Sequence, residues 1–270
     1  MRNPSCVTTV IDLHADGTVG PSGVNAVGTV VGSFQDANFS LHGFIWSNGT
    51  GQLYDYPGAT QTTLGGVNDA GLSAGSYVNS DGASFGFILQ KNGQTVQFSF
   101  PGAFNTFATG INNKGAVVGT WAAFQSDTVA GFKKSGKTFK SVQFPGAVST
   151  FPRSINDAGV VAGSYFDGST MHGFIESKGV YTTFDFPPST YSQASGINNA
   201  GEIVGGFRRT ETAHGKGFIY LNGKFTSYRY PKASFTELTA LNSLGDVVGD
   251  AVTGRKNGFL IGPGFLITCR

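Results

Sequence analysis

Charge is scarce in this chain. Lys, Arg, Asp and Glu make up 13% of its 270 residues, about half the usual ~25%. The net charge is +2, and Lys and Arg occur at most in pairs such as Arg208–Arg209. Counterion release therefore has little to act on, and no nucleic-acid partner is expected. No apolar run approaches the ~18 residues of a membrane span, and the opening stretch MRNPSCVTTV carries no apolar signal-peptide core. Methionine and cysteine number only two each. The motifs CxxC, HExxH, the Walker loop, the G-x-S-x-G elbow and the DxDxDG calcium loop are all missing. The sequence accordingly points to no metal and no cofactor.

What is abundant is glycine and phenylalanine, 41 and 24 residues. Glycine at about twice the usual ~7% suits tight turns between short strands better than amphipathic helices. The glycines are in register with a repeat. A turn asparagine recurs at Asn25, Asn68, Asn112, Asn156, Asn198 and Asn242, at steps of 42 to 44 residues. A glycine follows three residues later each time, from Gly28 to Gly245. Gly-Phe pairs recur at Gly43, Gly86, Gly131, Gly173, Gly217 and Gly258, and a proline ends a segment at Pro57, Pro101, Pro145, Pro187 and Pro231.

One copy reads as physics. GIN ends a strand, and NNAG turns, with Asn capping and Gly free to take positive φ. EIVGGF and KGFIYL are the second and third strands. NG is a hairpin turn, and KFTSYRYP is a fourth strand stopped by proline. Four strands per period in the low forties, six times over, predict an all-β fold. It is a six-bladed β-propeller spanning 1–270 as one domain. Small residues two before each Asn (Gly23, Gly66, Gly110, Ser154, Gly196, Ala240) fit innermost strands crowding one axis.

A propeller must join its ends. Shifted by the period, TTVIDLHADG from Thr8 falls on TTFDFPPSTY from Thr182, so the N-terminus supplies a fourth strand to the last blade. At the C-terminus, GFLIGPGFLITC supplies the third strand and a second claimant for the outer position; the letters leave open which of the two ends lies inside. Either way Cys6 and Cys269 meet in one sheet, and a disulfide between them is expected, with two unrelated thiols as the alternative. Such a bond implies an oxidising compartment.

The wording GINxxGxIVGxY…HGF…PGA, closest in YFDGSTMHGFIESKGVYTTFDFP from Tyr165, resembles the bacterial extracellular HAF-type repeats, over nearly the whole chain. The resemblance implies a propeller-like fold and a secreted or periplasmic location. Its signature residues are turn and packing residues, and it brings no catalytic set. Four copies lack the His before Gly-Phe, with Phe85, Ala130, Lys216 and Asn257 there instead.

Function is sought where the copies disagree. Five residues before the turn Asn stand Gly20, Thr63, Phe107, Phe151, Gln193 and Glu237; three before stand Ser22, Gly65, Thr109, Arg153, Ser195 and Thr239. By strand alternation these share a face, expected to line the mouth of the central channel. Eight after the Asn, the sixth copy alone has a carboxylate, Asp250, expected opposite Glu237. Two such neighbours repel unless a cation, an Arg or a shared proton intervenes. Aromatics nine after the Asn, including Trp121 and Tyr165, are read first as packing and second as a stacking surface for sugars. His172, near Asp167 and Arg153, is the candidate for proton transfer. The leading expectation is a secreted module binding a glycan or other small polar ligand through Phe107, Phe151, Arg153, Gln193, Trp121 and Tyr165. The alternative is a lyase or hydrolase using Glu237, Asp250, Arg153 and His172.

Overall fold

The computed structural model describes residues 5–14, 16–210, 214–256 and 259–269. All regular elements are strands. β1 (Cys6–Val10) is followed by β2 (Gly17–Val24), β3 (Val30–Asp36), β4 (Leu41–Ser47) and β5 (Thr50–Tyr54). Next come β6 (Gln61–Val67), β7 (Ser73–Val78), β8 (Ser84–Leu89) and β9 (Thr95–Phe98), then β10 (Asn105–Ile111), β11 (Val117–Ala122), β12 (Ala130–Ser135) and β13 (Thr138–Val142). β14 (Ser149–Ile155), β15 (Val161–Phe166), β16 (Met171–Ser177) and β17 (Val180–Thr183) precede β18 (Tyr191–Ile197), β19 (Ile203–Arg208), β20 (Lys216–Leu221) and β21 (Lys224–Tyr228). The last repeat holds β22 (Phe235–Leu241), β23 (Val247–Val252), β24 (Gly254–Lys256), β25 (Phe259–Ile261) and β26 (Gly264–Cys269).

Each repeat is an antiparallel meander, and the all-β propeller architecture is present. The count of separate four-stranded sheets differs from the six expected. Four are independent four-stranded sheets, while β6–β9 and β10–β13 run together into one of eight strands. The cause is local: Asn105 of β10 pairs in parallel with Ser84 of β8, and the Ser84 amide donates to the Phe104 carbonyl at 3.3 Å. Elsewhere among the described residues single amide bonds, such as Thr150 to the Val129 carbonyl at 2.9 Å, link neighbouring repeats without joining their ladders.

The last repeat also departs from the sequence reading. Its order is β22-β23-β26-β1, so the N-terminal strand is outermost and the C-terminal strand lies inside it. The third-strand position belongs to Gly264–Phe265, not to Gly258–Phe259. Gly249 pairs with Phe265 and Asp250 with Gly264, as Gly32 pairs with Phe44 and Ser33 with Gly43 in the first sheet. Phe259 instead sits in the β24–β25 hairpin, outside that sheet; Gly258 and Asn257 lie outside the described residues. Two Gly-Phe pairs six residues apart compete for one slot, and only the second carries a strand long enough to span β23 and reach β1.

The core follows the repeat. Phe44, Phe87, Phe132, Phe174, Phe218 and Phe265 are each fully buried, a burial worth ~1.5–3 kcal/mol apiece. Second strands are buried on both faces, whereas the outer β5, β17 and β21 are largely exposed. The inner strands crowd as expected: a Cβ on Gly23 would lie 2.8 Å from the Gly66 Cα, and one on Gly196 2.9 Å from the Ala240 Cα.

The turn asparagine does more than cap. Its Oδ1 accepts the amide four residues on, as from Thr29 and Ala116 at 2.9 Å. Its Nδ2 donates to the main-chain carbonyl of the next turn asparagine. These bonds run Asn25, Asn68, Asn112, Asn156, Asn198, Asn242 and back to Asn25, at 2.9–3.2 Å. All six side chains are buried, and the positive φ of Gly28, Gly71, Gly115, Gly159, Gly201 and Gly245 lets each turn close behind them. Asn112→Ala removes one donor and one acceptor and leaves buried partners unsatisfied. A loss of ~2–3 kcal/mol in urea unfolding is expected; a loss below ~0.5 kcal/mol would show the ring to be incidental.

Candidate functional site

Every inner strand pair carries a bulge at one place, between Pro21/Gly23, Leu64/Gly66, Ala108/Gly110, Pro152/Ser154, Ala194/Gly196 and Leu238/Ala240. The unpaired residue is the one three before the turn Asn. A bulge bends its strand and re-aims the extra side chain. Both variable positions, three and five before the Asn, thereby reach a common cavity of about 570 Å³. Phe107, Phe151, Arg153, Gln193, Glu237 and Asp250 all line it. A narrower space of about 90 Å³ lies toward the asparagine turns and shares Ser22, Gly65, Thr109, Arg153 and Ser195 with the first. Arg153, at the bulge of β14, stands between the two.

Chemistry is unevenly distributed around the cavity. Phe107 and Phe151 come from adjacent repeats, and Phe107 is 38% exposed. Across the axis, Glu237 pairs directly with Asp250, as the sequence register required. Ser195 Oγ donates to Glu237 Oε1 at 3.1 Å. Gly206 takes the slot that holds Ser or Thr in four other repeats, and a Cβ there would approach the Glu237 Cγ to 3.3 Å; its absence makes room for the longer carboxylate. Burial, with repulsion from Glu237, pushes Asp250 up to about 7. Near neutral pH Asp250 can therefore gain or lose a proton readily beside Glu237. Among the described residues, neither carboxylate is ion-paired with Arg153 or any other cation.

One residue escaped the sequence reading. Tyr191 starts β18, two residues before Gln193 on the same face, and its hydroxyl accepts a hydrogen bond from Gln193 Nε2. Burial raises its pKa, as does the charge of Glu237, against Arg208 and Arg153. The Arg208 guanidinium lies 5.1 Å from the Tyr191 ring centroid. Comparing the copies two positions further back would have found it: Thr18, Gln61, Asn105, Ser149, Tyr191 and Phe235 stand there.

Three predicted residues lie elsewhere. Trp121 stacks on Phe100 at 4.3 Å and Tyr165 on Phe144 at 3.7 Å. The Tyr56–Tyr77 and Phe186–Phe207 pairs, at 3.9 and 3.7 Å, repeat the arrangement. In each pair the aromatic before the segment-ending proline meets the second strand of the next repeat, so these rings are packing between repeats and not a ligand surface in the cavity. His172 does not join Arg153 or the carboxylate pair. Its Nδ1 bonds Asp185 at 2.8 Å and its Nε2 faces Asp167 at 3.3 Å. Burial opposes the ring's charge, but the two carboxylates outweigh it and raise its pKa. His42 repeats the arrangement with Asp55 and Asp36. In both repeats the His holds the second-to-third-strand loop onto the outer strand's end. Within the described residues, no cluster of His, Cys, Asp and Glu has metal-site geometry.

Strands, bulges and an axial cavity define a propeller. No family model matches the chain, and no curated protein sequence does. Among solved structures it is similar to a protein of unknown function from Dyadobacter fermentans, at 12% identity over 97% of this chain and 98% of that one, with a TM-score of 0.59. It is also similar to a gluconolactonase from Xanthomonas campestris, at 11% identity over 97% and 89%, TM-score 0.57. A subtype N11 neuraminidase-like protein of A/flat-faced bat/Peru/033/2010 aligns at 10% identity over 100% and 94%, TM-score 0.54. At these identities the likeness concerns the fold.

Proposed function

We propose that the chain is one six-bladed propeller domain over 1–270, secreted or periplasmic, whose channel mouth binds a glycan or other small polar ligand. The observation that carries the reading is the convergence of Phe107, Phe151, Arg153, Gln193, Glu237 and Asp250 on one axial cavity of about 570 Å³, a size within the ~300–1,000 Å³ of small-molecule sites. Two aromatic faces opposite hydrogen-bonding groups suit a ring with one apolar face and polar edges. The six-blade count is supported by the closed circuit of six asparagine side chains and by the merged sheet being two four-strand meanders joined by one residue pair. Secretion is supported by the Cys6–Cys269 disulfide and by the HAF-type wording of the repeat. Among the described residues no helix is long and apolar enough to cross a membrane.

A glycan array on the wild-type chain, followed by titration of its best ligand, tests the reading. Phe151→Ala and Glu237→Gln are each expected to weaken binding about tenfold or more, at ~1.4 kcal/mol per decade. Binding that neither variant changes would remove the site from the cavity.

A second reading, a hydrolase or lyase, is favoured by the Glu237–Asp250 pair, in which burial and the neighbouring Glu237 raise Asp250 to about 7, the range suited to general acid–base work. Two of the similar structures bear the names gluconolactonase and neuraminidase-like protein. Under this reading Glu237→Gln abolishes turnover with ligand binding and unfolding intact. His172 stands outside the cavity, and the reading is made without it.

A further inference from the structure

The fifth repeat is basic in a chain that is otherwise near neutral. Between positions 208 and 232 lie Arg208, Arg209, Lys216, Lys224, Arg229 and Lys232, six of the 18 Lys and Arg, against one acidic residue in that span. These charges do not all disperse into solvent. Arg209, His214, Lys216 and Arg229 line a separate pocket of about 190 Å³ with Phe207. Among the described residues no carboxylate shares the lining, and Arg209, Lys216 and Arg229 make no ion pair. The neighbouring Arg208 is different, since it sits over Tyr191 and Phe235 at 5.1 and 5.8 Å.

The fold creates the convergence. Lys216 opens β20 directly opposite Phe207 on β19, Arg209 follows the end of β19, and Arg229 follows β21, the next strand of the same sheet. The three strand ends and the connection to β20 thus bring their cations to one edge of the sheet. Collecting like charges costs energy unless an anion offsets it. Two guanidinium forks and an ammonium are the donor set that tetrahedral oxyanions favour. The buried Phe207 ring, 3% exposed, gives the pocket a rigid wall.

We propose that this pocket binds a tetrahedral oxyanion, sulfate or phosphate, free or carried as an ester on a larger ligand. The site is independent of the axial cavity and survives or fails separately from it.

Titration calorimetry of the full chain at low salt, with inorganic sulfate, inorganic phosphate and dextran sulfate as probes and uncharged dextran as blank, tests the assignment. The Arg209→Ala/Arg229→Ala double variant is expected to lose about tenfold or more in affinity, the scale of two charge-assisted contacts. Both residues are exposed and make no ion pair among the described residues, so its unfolding midpoint should match wild type. A Lys137→Ala/Lys140→Ala variant removes the same charge from exposed positions at the β12–β13 hairpin and should stay within about twofold of wild type. Binding of the inorganic ions identifies a site for the free ion; binding of dextran sulfate alone identifies a site for the ester on a chain. If all probes fail at about 10 mM, a Kd corresponding to under ~3 kcal/mol, or if the two double variants lose affinity equally, the proposal is overturned.

Discussion

Folding stability is expected to fall as the pH rises from about 4 to about 7, with Asp250 as the main cause. In the unfolded chain this carboxyl titrates near its ordinary 3.8, while in the folded protein burial and Glu237 hold it up to about 7. Between those values the native state binds a proton that the unfolded state has released. Stability therefore decreases with pH across that window and levels off above it. Three pH units correspond to about 4 kcal/mol at ~1.36 kcal/mol each, less to the extent that water in the cavity screens the charge. Asp250→Asn keeps the shape and removes the titration. It should flatten the profile and exceed wild type in stability at pH 8, read from urea unfolding at several pH values. His172 contributes with its own sign: its raised pKa gives stability that is present below its ordinary 6.5 and lost as pH rises through the folded value. His172→Gln should therefore alter only the upper part of the curve. A profile for Asp250→Asn that still falls between pH 4 and 7 would assign the pH dependence to another group, and the argument for a raised Asp250 beside Glu237 would go with it.

The cavity was legible in the letters because strand pairing converts sequence distance into spatial position. A position five before the turn and one eight after it must face each other across a hairpin, so Glu237 and Asp250 met as soon as the turn was recognised. The bulge could not be read, yet it delivered Arg153 and Ser195 to the same space. What the sequence left hidden was contact between repeats. Whether Trp121 and Tyr165 faced a ligand or a neighbour depended on the approach of the preceding repeat, and Phe100 and Phe144 covered them. The asparagine circuit escaped for the same reason, since local turn chemistry explains each Oδ1 and says nothing of where Nδ2 points. The misassigned Gly258–Phe259 pair has another cause. Periodicity gives spacing, and the sixth repeat inserts a hairpin that shifts its third strand by six residues.

Loss of the Cys6–Cys269 bond is expected to produce the other large effect, because it joins residues 263 positions apart. The two cysteines face each other in the β1–β26 ladder, with Cα atoms 4.1 Å apart. All five residues of β1 are exposed, so little apolar burial holds this strand; Ile11, 2% exposed, is the first core side chain after it. The strand that completes the last sheet thus relies on its ladder and on the covalent bond. In the chain-entropy model a crosslink this long restrains the unfolded state by about 5 kcal/mol, against a total of ~5–15 kcal/mol for a typical domain. The Cys6→Ser/Cys269→Ser variant should lower the urea midpoint correspondingly. Protease should cut it first near residues 5–14, where the freed strand peels from β26. Mild reduction of the wild type should reproduce both changes and leave the Asn-lined end of the cavity protected until global unfolding. A cost below ~1 kcal/mol would mean that the β1–β26 hydrogen bonds alone close the last sheet, and the disulfide would lose its standing as the argument for an oxidising compartment.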